Sequence, residues 1–276
     1  MFPLIVQDHK GWRRGLTWLA VFLILLAGGY LFLTRGPTAQ AQPTGAEEIM
    51  AYARQLNARA WKNIPGHGPW LWVSFVLENP LAQGTDPDTG WPIFRRSRMD
   101  NAYRFDDQGR ITAVVGRTSH LDGPHTYRSV WVPGRFFRDP PLVGQEELTW
   151  DTWEKHPVLD WCIEGIIAGQ LGRSRGQVRV LPPQEARAWS PQAWGLIYEE
   201  DLEEPLVLQE VAGAPTATKM QIVCVWDEPT GQPRLNAQYY ILEGGERVLF
   251  ARGSDYTLRW ISELPADLAA LWESQG

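Results

Sequence analysis

Three groups of residues have the types and spacing that chemistry uses. Asp88-Thr89-Gly90 spells the aspartic-protease triplet. That chemistry needs two such aspartates sharing one proton. The chain carries a single copy, between Pro87 and Trp91, and it reads as a turn. His120 and His125 stand five apart around Asp122-Gly123-Pro124. Zinc takes three or four ligands at helical or knuckle spacings; no partner accompanies this pair, which reads as a solvated loop. Glu199-Glu200-Asp201 and Glu203-Glu204 form an acidic run without the periodicity of a calcium loop, and read as solvated surface. No glycine-rich phosphate loop follows a strand, and no G-x-S-x-G elbow is present. No catalytic, metal or cofactor residue is assigned, so a binding protein is expected rather than an enzyme, with a hydrolase as the third reading.

The stronger signal is apolar alternation. Leu71, Val73, Phe75 and Leu77 fall on one side of an extended segment from Trp70 to Asn79. Met220, Ile222, Cys224 and Trp226 do the same between Thr218 and Trp226. Leu235, Ala237, Tyr239 and Ile241 repeat it between Arg234 and Leu242. A curved sheet turning those sides inward must cover them with helices or with a ligand. The expectation is one elongated apolar cavity lined by these three sets. Thirteen of the fifteen tryptophans follow residue 44 and serve as core anchors or as cavity lining. Cys162 is the second cysteine. If its helix covers the apolar side of the sheet, a Cys162–Cys224 disulfide closes a 62-residue separation. Such a bond contributes roughly 4 kcal/mol in the chain-entropy account.

These sets sit in a regular order of elements. Ile49, Ala53, Leu56 and Ala60 make a helical stripe after a Thr44/Glu47 capping box, and Pro65-Gly66 ends it. Ile93–Phe105, Arg110–Ser119 and Thr126–Val132 read as short strands on hairpin turns. The helical period returns from Gln145 to Leu171, with Leu159, Ile163, Ile166 and Ile167 as its stripe. Ser190-Pro191 opens a short helical turn. Arg247–Ser254 is a last strand, and a final helix from Pro265 buries Leu268, Leu271 and Trp272. The fold class is α+β, mostly antiparallel: a curved, half-barrel-like sheet with helices on its apolar face and a helical insertion at about 145–195.

The chain of 276 residues carries a net charge of −6, which excludes a general nucleic-acid binder. Gly15 to Thr34 is an uncharged, apolar 20-mer, about 30 Å long as a helix and enough to cross a bilayer. Lys10, Arg13 and Arg14 precede it, whereas Arg35 alone follows before Glu47. Positive-inside bias keeps residues 1–14 in the cytoplasm and sends the rest outward. The organisation expected is a cytoplasmic tail (1–14), a transmembrane helix (15–34), a linker (35–44) and an extracytoplasmic domain (45–276). Cleavage after Ala41, at an A-x-A-like site, is the alternative. Residues 1–44 carry +3, leaving −9 on the remainder, which anionic headgroups repel.

The last third also resembles a known family. Val225-Trp226-Asp227, Pro229-Thr230-Gly231-Gln232-Pro233, Gly244-Gly245-Glu246 and Glu263-Leu264-Pro265-Ala266-Asp267-Leu268 recur in the order seen in the periplasmic lipoprotein-carrier superfamily of LolA-like carriers and RseB-like envelope sensors. The likeness is strongest over residues 218–270. It implies an open half-barrel that takes acyl chains under a helical lid. It also implies a bacterial envelope location and a lipid, lipoprotein or apolar ligand, or else a sensor engaging a membrane protein partner. This chain departs from the family in having no lipobox cysteine and in its 145–190 insertion.

Overall fold

The computed structural model describes Pro43, residues 45–82, Gly84, Ile93, residues 95–139 and residues 176–274. The cytoplasmic tail, the transmembrane helix and its flanking linker through Gln42 lie outside these residues. So do the Asp88-Thr89-Gly90 turn, Cys162 and the helical stripe of the insertion.

The unit from Pro43 onward opens with α1 (Ala46–Asn63). Its N-cap is Gly45, whose carbonyl accepts the first helical bond from Ile49 N at 2.9 Å. Glu48 reaches back toward the Gly45 amide. The start is therefore one residue later than the Thr44/Glu47 expectation. Ile49, Met50, Ala53, Leu56, Asn57 and Ala60 form its buried stripe.

Ten antiparallel strands follow: β1 (Trp70–Glu78), β2 (Arg96–Phe105), β3 (Ile111–His120), β4 (Thr126–Val132), β5 (Arg135–Asp139), β6 (Gln177–Val180), β7 (Ala193–Val207), β8 (Thr216–Asp227), β9 (Pro233–Leu242) and β10 (Arg247–Ile261). The order is β5-β4-β3-β2-β1-β10-β9-β8-β7-β6. Two five-strand meanders thus join where the first strand pairs the last. The described strands form an open sheet with edges at β5 and β6. Among the described residues there are two further, short helices, α2 (Pro183–Arg187) and α3 (Ala266–Glu273).

Four elements differ from the sequence reading. The insertion ends in β6, and α2 starts on Pro183 at its first turn rather than at Ser190-Pro191. β7 absorbs the acidic run. Its first half is buried on both sides, from Trp194 to Tyr198, so no period-2 signal marks it. β10 continues through a bulge at Asp255, whose φ of 55° lets the strand reach Ile261.

The helices do not all cover one apolar face. α1 lies on one side of the sheet. There it packs Ile49, Met50, Ala53 and Leu56 against Trp194, Leu196, Tyr198, Ile222, Cys224 and Trp226. Further along, Ala60 and Ile64 join Leu71, Val73, Tyr103, Trp131 and Leu258. α3 lies on the opposite side, where Leu268 and Leu271 cover Trp70, Trp72, Ala102, Ala113, Val115 and Val130. The Leu181–Ala186 segment with α2 covers Ile197, Val223, Val225, Leu235 and Ala237 on that same opposite side. β1 reads as Trp-Leu-Trp-Val because both of its sides are core. A row of polar residues runs across the α3 side: Ser74, Asp100, Arg117, Arg128 and Asp139 occupy matching positions on β1 to β5. Arg117 bonds Asp100 at 2.8 Å and Asp267 of α3 at 3.1 Å, which ties the last helix to the sheet.

Candidate ligand-binding face

Pairing register decides which side chains share a surface. Leu71, Val73, Phe75 and Leu77 point to the α1 side, and so do Met220, Ile222, Cys224 and Trp226. Leu235, Ala237, Tyr239 and Ile241 pair with Val225, Val223, Gln221 and Lys219 and point to the α3 side. The three sets therefore do not line one chamber. Along β9 the apolar phase goes under α2, while Asn236, Gln238 and Tyr240 face the α1 side.

On the α1 side, Leu71, Val73, Ile222 and Trp226 are buried beneath the helix. Cys224 is buried with them; its predicted partner Cys162 is outside the described residues. The β8–β9 turn holds α1 down. Trp226 Nε1 donates to Asn57 Oδ1 at 2.9 Å, and Asn63 Nδ2 to Thr230 O at 3.2 Å. The Tyr52 hydroxyl donates to the Glu228 carboxylate and the Arg59 guanidinium to the Glu228 carbonyl. Burial and the Glu228 carboxylate push the Tyr52 phenol up to about 12. Asp227 is pushed up by burial, but hydroxyls of Thr230 and Ser190 and the Arg234 charge outweigh that and leave it below its ordinary value. Gly231, at φ 74°, sits so close that an added Cβ would lie 2.1 Å from Leu56 O. The Asp-Glu-Pro-Thr-Gly motif is thus the clamp for α1.

Farther from that clamp the same side is only half-buried. Phe75, Leu77 and Met220 remain there from the predicted set. Met99, Tyr240, Phe250 and Tyr256 join them. Phe75 stacks on Tyr256 with centroids 5.3 Å apart, and Tyr240 meets Phe250 at 5.3 Å. Gly253 has no side chain in the way, so the Tyr256 ring lies across it. Pairing links Glu200–Met220–Tyr240 on β7 to β9 and Phe75–Met99–Thr118–Tyr127 on β1 to β4. Phe250 and Tyr256 belong to the bulged part of β10 between them. The extra residues at those bulges turn both aromatics to the α1 side, six residues apart along β10, which is why alternation alone overlooks them.

The chemical candidates have structural partners. His120 Nδ1 lies 3.0 Å from Ser97 Oγ, and His120 N donates to His125 O at 3.0 Å to close the β3–β4 hairpin. Glu199 accepts from Gln221 at 2.9 Å and Lys219 at 3.3 Å, and Glu200 accepts from the Tyr198 hydroxyl at 2.6 Å. Among the described residues no group of three His, Cys, Asp or Glu side chains is placed to hold a metal ion.

No family model matches the chain, and no curated protein does. Among solved structures, that of MucB in complex with MucA(peri) is similar over 79% of this chain at 16% identity, with a TM-score of 0.34. The match takes in 57% of that chain, so this protein spans little more than half of its length. The dehydratase domain from the CurK module of Curacin polyketide synthase matches over 78% of this chain and 82% of its own, at 11% identity and a TM-score of 0.12.

Proposed function

We propose that this chain is a non-catalytic, membrane-anchored binding protein of the bacterial envelope, with a LolA/RseB-like domain outside the cytoplasm. Its half-buried α1 face takes an extended apolar chain belonging to a lipid, a lipoprotein or a membrane protein partner. The observation that carries this reading is two half-buried groups on the α1 side, Met220, Tyr240 and Phe250 on β8 to β10 and Tyr256, Phe75 and Met99 on β10 to β2, set six residues apart along β10. Contiguous apolar surface left partly open on a folded domain marks a place of contact. Clamping of α1 at the other end of that face keeps the surface preformed, which lowers the ordering cost of binding.

The anchor at 15–34 and the outward orientation are part of the proposal and rest on the charge asymmetry of the first 35 residues. Neighbouring positions on β9 supply the test, because Tyr240 and Tyr239 face opposite sides of the sheet. A photoreactive benzoylphenylalanine at position 240, in the full chain in its own membrane, is expected to capture a ligand that position 239 does not. The mass of the adduct separates acyl chains from polypeptide. Equal capture at both positions, or none at 240, removes the α1 face as the binding surface.

A further inference from the structure

α3 is held on the sheet by side chains. Among the described residues, no backbone-to-backbone hydrogen bond from residues 262–273 reaches a strand; Leu268 and Ala269 both return their amides to Pro265 O, at 2.9 and 2.8 Å. The helix has little of its own to keep it helical. It is eight residues long, its N-cap Pro265 makes no side-chain cap, and its last turn carries no basic residue. Helices that short do not persist alone in water, so α3 is folded because it is docked. Its attachments are Leu268 and Leu271, a T-shaped contact of Trp272 with Trp70 at 5.4 Å, and Asp267, which is 38% exposed. α1, by contrast, is fastened by hydrogen bonds from the β8–β9 turn.

The seat beneath α3 is built from the sheet itself. Trp72, Ala102, Val115 and Val130 are neighbours in register across β1 to β4, with Trp70 and Ala113 beside them. At its rim, buried Asp100 accepts the Ser74 hydroxyl at 2.7 Å and holds Arg117 at 2.8 Å, and Asp139 pairs with Arg128. Both guanidiniums are thus fixed by carboxylates of the sheet. Each turns one further N–H to the first turn of α3: Arg117 Nη1 donates to Asp267 Oδ2 at 3.1 Å and Arg128 Nη1 to Asp267 O at 3.3 Å. We propose that this seat is a helix-docking surface with α3 as its exchangeable occupant. The partner it takes in place of α3 is an amphipathic helix of another protein, with an acidic residue in its first turn and apolar side chains one, four and five positions later. That is the pattern of Asp267, Leu268, Leu271 and Trp272. Helices laid into apolar grooves are read through anchors at such spacings, and a preformed seat lowers the ordering cost of binding. As a tethered segment α3 has an effective concentration of about a millimolar, so it shuts out weak competitors. The seat lies on the side opposite the α1 face, and the proposal stands apart from the reading of that face.

The test uses the full chain in nanodiscs of uncharged phosphatidylcholine. In native-state hydrogen exchange, which needs no variant, the amides of α3 are expected to exchange at least about a hundredfold faster than those of β1 and β2. Exchange of both at one rate means that α3 does not leave its seat, and overturns the proposal. A fluorescein-labelled peptide with the sequence of residues 263–273 is then titrated and read by anisotropy. Leu268→Ser with Leu271→Ser in the chain unseats its own α3, and this double variant is expected to bind the peptide at least about tenfold more tightly than the parent does. The same peptide with Asp267→Asn should bind roughly threefold more weakly, the size expected of one half-exposed ion pair. Cooperative thermal unfolding checks that the sheet stays folded. If the double variant has lost it, α3 is part of the core and the proposal is overturned. A folded double variant that binds the peptide no better than the parent overturns it as well. Equal affinity for the two peptides overturns the part given to Arg117 and Arg128 in choosing the partner.

Discussion

Replacing Gly231 by Ala tests the clamp that organises the α1 face. Two costs arise. At φ 74° an L-residue pays about 1–2 kcal/mol for the left-handed backbone. In addition the new Cβ would stand 2.1 Å from Leu56 O and 2.6 Å from Ala60 N, so helix or turn must retreat by about an ångström to restore ordinary contact. That retreat stretches the Trp226–Asn57 and Asn63–Thr230 bonds and the Glu228 contacts to Tyr52 and Arg59, each worth about 1 kcal/mol net. The total comes to about 3–5 kcal/mol, which for a unit of this size lowers Tm by roughly 6–20 °C. Gly245→Ala is the control. Gly245 has φ 81° but no atom within 4 Å of the added Cβ, so only the backbone cost applies. Thermal unfolding of the full chain followed by tryptophan fluorescence measures both, since thirteen of its fifteen tryptophans follow residue 44. If Gly231→Ala is no worse than Gly245→Ala, the turn does not clamp the helix and the reasoning is refuted.

Three further outcomes are expected. Asn57→Ala leaves the buried Trp226 indole N–H without its acceptor and should cost about 2 kcal/mol in denaturant unfolding; a change within error would mean the bond contributes nothing. The Asp227 carboxyl is held below its unfolded value, so its stabilisation is complete above the unfolded pKa near 4 and is lost as pH falls through the lower folded value. Stability measured from pH 5 to pH 2 should therefore decline less steeply in Asp227→Asn than in the parent, and identical slopes would contradict this. A reporter fused after Gly276 should be active only if exported, with the chain in the membrane pellet; cytoplasmic activity would reverse the topology.

The local elements were legible because local physics makes them. The stripe of α1, the turns around β8 and β9, and the apolar run of β1 all follow from period and punctuation. The antiparallel class followed from short strands joined by turns of few residues. What no window of sequence carries is the side to which each apolar phase is turned. A strand with one apolar phase is equally good under a helix on either side, and the choice is made by pairing register with distant strands. That is why Leu235, Tyr239 and Ile241 went opposite to Met220, Ile222 and Trp226. Strands covered on both sides lose their alternation, which hid the first half of β7, and Phe250 and Tyr256 were turned to the α1 side by bulges in β10. The Asp-Glu-Pro-Thr-Gly turn is readable as a turn from its residues alone. That it fastens a helix about 170 residues earlier in the chain was decided only when the two meanders closed around β1 and β10.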